Sequence, residues 1–173
     1  MIGGIGSAQA KLVFWVPHVP PLRTLQNLVS VRPLLQIEQS KLIDVGGNHW
    51  RKIINCMAKI AHELMPGRFP TWQLLRDQPL LGDGGEVALV ALPKPSAPLI
   101  RSVFDSFNCA SIHFCCGKQL TEQCFAASDI IQVDQDFAKI KLNSAWSIPY
   151  LDYRQLSNAK ITRLVNLVKS EEY

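Results

Sequence analysis

Residues 86–133 read EVALVALPKPSAPLIRSVFDSFNCASIHFCCGKQLTEQCFAASDIIQV, and this stretch decides the fold. Glu86–Leu92 is nearly continuous apolar sequence without alternation, the pattern of a strand covered on both faces. Pro93-Lys94-Pro95 interrupts it. Ser96 then suits a helix N-cap, and Leu99, Ile100, Val103, Phe104 and Phe107 follow at helical spacing. Ala110–Cys116 reads as a second buried strand, and Gly117-Lys118 turns into a helix bearing Leu120, Cys124 and Ala127. Asp129–Val133 reads as a third strand. Alternation at these lengths predicts right-handed crossovers and parallel strands.

Working outward, Lys11–Val16 (KLVFWV) is short, aromatic and β-branched, a strand ended by Pro17, Pro20 and Pro21. Leu22, Leu25, Leu28 and Val29 predict a short helix over 22–31, stopped by Pro33. His49–Leu64 carries Trp50, Ile53, Ile54, Met57, Ile60, Ala61 and Leu64 on one stripe, with Asn48 as N-cap and Pro66-Gly67 as stop. Thr71–Leu75 allows one helical turn. Ala138, Ile140 and Leu142 alternate with Lys139 and Lys141 as a half-exposed strand, and Ser147–Asp152 is extended. Ser157 or Asn158 caps a last helix with Ile161, Leu164, Val165 and Val168 inward. The Gly-, Ala- and Ser-rich residues 1–10 are expected to be loosely held. The expectation is one α/β domain over 1–173, a three-layer sandwich with a mostly parallel central sheet flanked by helices.

Composition agrees with a folded domain. Apolar residues make up 47% of the 173 and charged residues 18%, which excludes a disordered chain. The net charge is +4, and the whole basic excess lies in residues 1–85, around Arg51, Lys52, Lys59, Arg68 and Arg76. The cysteines, Cys56, Cys109, Cys115, Cys116 and Cys124, are odd in number and contain no CxxC. They read as reduced thiols of a cytoplasmic protein rather than a disulfide frame or a zinc site. No apolar run approaches the ~20 residues of a membrane span, and the start of the chain predicts no secretory leader. No metal and no cofactor are expected.

Ligands of open parallel sheets bind beyond the carboxyl ends of the strands. The loops 93–96 and 116–118 reach that edge, each with a lysine beside free helix-start N–H groups, so Lys94, Ser96, Gly117 and Lys118 are candidate anion contacts. Gly46-Gly47-Asn48-His49-Trp50-Arg51-Lys52 places two cations in a first helical turn, against the preference of the helix dipole. That adds Gly47 and Arg51. His18 and His49, in loops beside Pro and Gly, are the acid–base candidates, while His113 in an apolar strand reads as core. Cys116 ends a strand before a helix start, where a thiol pKa is expected to fall, and is a candidate nucleophile. Asp134 and Asp136 flank Gln135 and offer paired carboxylates to Mg²⁺. Pro149–Arg154 sets Tyr153 and Arg154 where they can stack on a base or pin the last helix.

The strand–Gly-Lys–helix order over 111–127 resembles that of several α/β folds, including nucleotide binders and uracil-DNA-glycosylase-like proteins. It carries no diagnostic motif of either, so the resemblance implies fold alone. Three functions fit. The first is a site for an anionic, phosphate- or nucleotide-like small molecule, with Gly47, Arg51, Lys94 and Lys118 around one pocket and His18 or His49 at its rim. The second is a nucleic-acid-binding or base-processing protein using the basic first half through Arg51, Lys52, Lys59 and Trp50 or Trp72. The third is a non-catalytic protein-interaction domain.

Overall fold

Strands form where apolar β-branched and aromatic residues crowd together, and the two most apolar stretches flank one shared neighbour. In the computed structural model, which describes residues 2–141 and 144–171, the strands are β1 (Gly4–Gly6), β2 (Leu12–Val16), β3 (Val31–Arg32), β4 (Val87–Ala91), β5 (Ile112–Cys116), β6 (Ile130–Gln132), β7 (Ala138–Ile140) and β8 (Ala145–Ile148). The helices are α1 (Gln36–Leu64), α2 (Trp72–Asp77), α3 (Ala97–Asp105), α4 (Lys118–Cys124) and α5 (Asn158–Glu171). All eight strands join one mixed sheet in the order β3-β1-β4-β2-β5-β8-β7-β6. β2 lies between β4 and β5 and is parallel to both, and β8 continues the parallel run beside β5.

Alternate side chains of these strands feed two cores, which makes the α/β fold three layers deep. Phe14, Val16, Phe114, Trp146 and Ile148 face α1, α2 and α5, where Ile53, Met57, Ile161 and Leu164 cover them. Val13, Trp15, Val90 and Cys115 face α3 and α4, closed by Ile100, Val103 and Leu120. Phe14 stacks on Phe114 with centroids 5.1 Å apart. Trp15 is fully buried and lies against Phe104 and Phe125. No helix among the described residues is long and apolar enough to cross a membrane.

Four expectations are corrected. Residues 4–6, expected to be loosely held, form β1, paired with β3 and β4, with Ile5 buried. The helix expected over 22–31 reduces to a 3-10 turn at Arg23–Leu25, because Asn27 takes a left-handed φ of 57° and the chain then enters β3. The helix expected from His49 begins at Gln36, where Glu38 accepts the Leu35 N–H and a bidentate pair from Arg32. β6, expected as a third parallel strand, is antiparallel to β7 at the sheet edge. Its side chains are half-buried or exposed, since nothing covers an edge strand on both faces. Leu142 of the alternating strand lies outside the described residues.

The break that matters most is internal to α1. Gly47 sits at φ 61°, ψ −148°, a conformation open essentially to glycine, and divides the helix into two segments. Gly46 leaves the space that the Trp50 ring fills, since a Cβ there would meet that side chain at 2.4 Å. With Trp50 buried in the core, His49 one residue earlier is turned outward.

Candidate functional site

β2, β4, β5 and β8 are mutually parallel, so their carboxyl ends share one edge of the sheet. Val16 there leads to Pro17-His18, Cys116 to Gly117, and Ile148 to Pro149-Tyr150. The break at Gly47 brings His49 to the same edge. Three rings meet as a result: His18 and His49 lie 5.2 Å apart between centroids, His49 and Tyr150 stack at 5.8 Å, and His18 and Tyr150 lie at 5.9 Å. The Tyr150 hydroxyl and His49 Nε2 are hydrogen-bonded at 3.1 Å, with the donor set by the imidazole tautomer.

Tyr150 is held from two sides. Gly117, at φ 108°, comes so close that a Cβ there would contact the tyrosine ring at 3.7 Å. On the other side, Lys52 of α1 donates to Asp152 at 3.0 Å and lies 4.7 Å over the Tyr153 ring. Asp152 also accepts from the Arg154 backbone N–H and guanidinium. These contacts, with the Arg154 backbone N–H first, hold the Asp152 carboxyl far below the usual carboxylate range. The Lys52–Asp152 pair thus ties the 149–154 loop to the helix that carries His49.

The electrostatics of His49 and Tyr150 favour their neutral forms. Partial burial, then the nearby His18, lowers the His49 pKa, so its imidazole is neutral at pH 7. Burial, followed by Cys116 and Asp152, raises the Tyr150 phenol, which therefore keeps its proton. His18 and His49 remain exposed. Two imidazoles and a phenol open to water can accept a proton, donate one, or take up an anion together with a proton.

The expected site residues divide into groups. His18, His49 and Gly117 are brought together around Tyr150. Lys118 is 88% exposed, lies 3.9 Å from Glu122 and, with Tyr150, lines a cavity of about 430 Å³. Gly47, Arg51 and Lys94 do not line that cavity. Gly47 shapes the α1 break instead, and Arg51 is exposed with no hydrogen-bond or ion-pair partner among the described residues. Lys94 and Ser96 stand exposed before α3, and the Ser96 side chain makes no capping hydrogen bond.

Cys116 requires a correction. It is buried in the core against α1, and burial followed by Cys56 pushes its thiol well above the ordinary value, opposite to the expected depression. It supplies packing there, not a thiolate. Asp134 and Asp136 form a structured turn in which Asp134 accepts the N–H groups of Asp136 and Phe137, and both carboxylates pair with Arg163. Of the residues expected at nucleic acid, Trp50 is buried and Lys52 is paired with Asp152, whereas Trp72 lies near Lys59 and Arg76 at 5.0 and 5.2 Å.

Tyr150 and Asp152 belong to this candidate site, and pattern reading passed them over in favour of Tyr153 and Arg154. A signal existed. The extended stretch 147–152, read as one more parallel strand, delivers Pro149-Tyr150 to the edge that Gly117 occupies.

An α/β protein with a histidine–tyrosine cluster at the carboxyl edge of its parallel strands is the class that fold and site define. Residues 3–169 match a protein family described as "Family of unknown function (DUF6942)", and the chain belongs to that family. No curated protein matches the chain.

Proposed function

We propose that the protein binds a phosphate-like anionic small molecule at the His18–His49–Tyr150 cluster. The observation that carries this reading is the meeting of two imidazoles and a protonated phenol at an open strand-end edge. Neighbouring imidazoles resist joint protonation, and an anion laid across both relieves that repulsion. The anion therefore arrives with proton uptake, and by linkage its affinity rises as pH falls.

Sulfate isolates this effect, because it keeps its charge across the histidine range. Isothermal titration from pH 8 to pH 6 is expected to show sulfate binding strengthening by up to about tenfold per pH unit, the limit for uptake of one proton. His18→Ala and His49→Ala are each expected to weaken binding and flatten the pH dependence. Sulfate binding that ignores pH and both substitutions overturns the reading.

A further inference from the structure

We propose that the cavity between α4 and the β6–β7–β8 edge receives the polyhydroxylated body of a sugar monophosphate, whose phosphate lies on the His18–His49–Tyr150 cluster. This deepens the anion reading and rests on it.

Tyr150 is the residue the two places share: its hydroxyl meets His49, and it lines the cavity, which His18 and His49 do not. The cavity, about 430 Å³, falls in the usual range for small-molecule sites, roughly 300–1,000 Å³. Its lining is rich in uncharged hydrogen-bonding groups. Thr121 and Ser147 are already hydrogen-bonded to each other at 2.7 Å, so the free groups are the exposed Gln135 and Gln155 amides, which have no side-chain hydrogen-bond partner among the described residues. Each amide offers donors and an acceptor, which suits vicinal hydroxyls.

Charge narrows the ligand further. The carboxylates of the lining are matched by cations: Asp136 by Lys160 and Arg163, Asp134 by Arg163, and Glu122 by Lys118. A body without net charge needs no counter-charge there, whereas a second phosphate would find no unpaired cation in the lining among the described residues, since Lys118 faces Glu122. Tyr150 is the single aromatic wall among the described residues, which present no opposed ring pair to sandwich a nucleobase. A sugar needs only one such face. These features favour a sugar monophosphate over a polyphosphate or a nucleotide.

The test is isothermal titration of the full chain with inorganic phosphate, glucose 6-phosphate, ribose 5-phosphate and AMP at one pH. At least one sugar phosphate is expected to bind about tenfold or more tightly than inorganic phosphate. The exposed pair Gln135→Ala/Gln155→Ala is expected to drop that sugar phosphate to the affinity of inorganic phosphate, with thermal unfolding confirming that the variant is folded. Sugar phosphates that bind no more tightly than phosphate overturn the inference while leaving the anion reading intact. So does tighter binding of AMP than of both sugars, or an increment that survives the double substitution. Absence of binding by all four anions removes the anion reading, and this one with it.

Discussion

His113 and the His18–His49 pair are the same residue type in opposite circumstances. His113 lies in the middle of β5 on the face toward α3, 2% exposed, with Nδ1 accepting the Trp15 indole N–H at 3.1 Å. Phe104 and Phe107 present their rings to it at 4.8 and 6.0 Å. Burial alone depresses its pKa to about 4, so it stays neutral and serves as a hydrogen-bond acceptor for the core. His49 is also depressed, but its neighbours are another imidazole, a phenol and water. A histidine enclosed by apolar rings can only pack. One that shares an open edge with other titratable groups can exchange protons, and this is the distinction that makes the edge the candidate site.

The largest effect expected from that comparison is on acid stability. Above pH 6.5 both the folded and the unfolded chain hold His113 neutral, so it adds no pH dependence. As pH falls from 6.5 to about 4, the unfolded chain takes up a proton that the folded chain refuses, and stability is lost. At about 1.4 kcal/mol per unit, the loss reaches roughly 3 kcal/mol. Urea denaturation of wild type and His113→Leu between pH 7 and pH 4.5 measures it. The variant is less stable at pH 7, because the Trp15 N–H loses its acceptor, but its dependence on pH is shallower. Equal slopes would assign the acid loss to another group.

A smaller effect is expected from Gly47→Ala, which forces a side chain into φ 61°, ψ −148° with no clash to relieve. Strain of this kind costs about 1–3 kcal/mol. The lower thermal midpoint is expected together with loss of the His49–Tyr150 contact in NMR spectra, while His113 signals stay in place. If His113 and His49 shift together, the break in α1 is not a local device for the edge.

The smallest effect separates the two histidine environments most sharply. His18→Ala removes a neighbour that depresses His49, so the His49 pKa is expected to rise toward its ordinary value while His113 remains at about 4. Stability changes by no more than about 0.5 kcal/mol, as for most exposed substitutions. An NMR titration of the imidazole protons reads both values at once, and an unmoved His49 would show that the pair does not couple.

The central strands were legible because their residues leave little choice. VALVAL is apolar at consecutive positions and ASIHFCC nearly so, a pattern that a strand covered on both faces buries. The periphery was less legible. GIG at residues 4–6 has almost no side chain to carry a pattern, and it becomes a strand because β4 and β3 supply hydrogen-bonding partners on both sides. Leu25 and Leu28 have helical spacing, yet the left-handed Asn27 between them ends any helix. At the edge, His18 and His49 stood out by their Pro and Gly neighbours. Arg51 and Lys94 looked alike in kind but do not share the cavity that Lys118 lines.

Local chemistry along the chain therefore determined the α/β class, the buried parallel strands and the face of each main helix, because burial pattern is written residue by residue. Which loops meet is a different quantity. His18, His49, Gly117 and Tyr150 come from four separate segments, and their meeting depends on the order β4-β2-β5-β8 and on the bend at Gly47. Strand order follows from how whole layers pack, a sum over long-range contacts that no short window of sequence contains. Tertiary structure alone thus decided that Tyr150 joins the two histidines, and that Cys116, at the carboxyl end of β5, turns inward to the core.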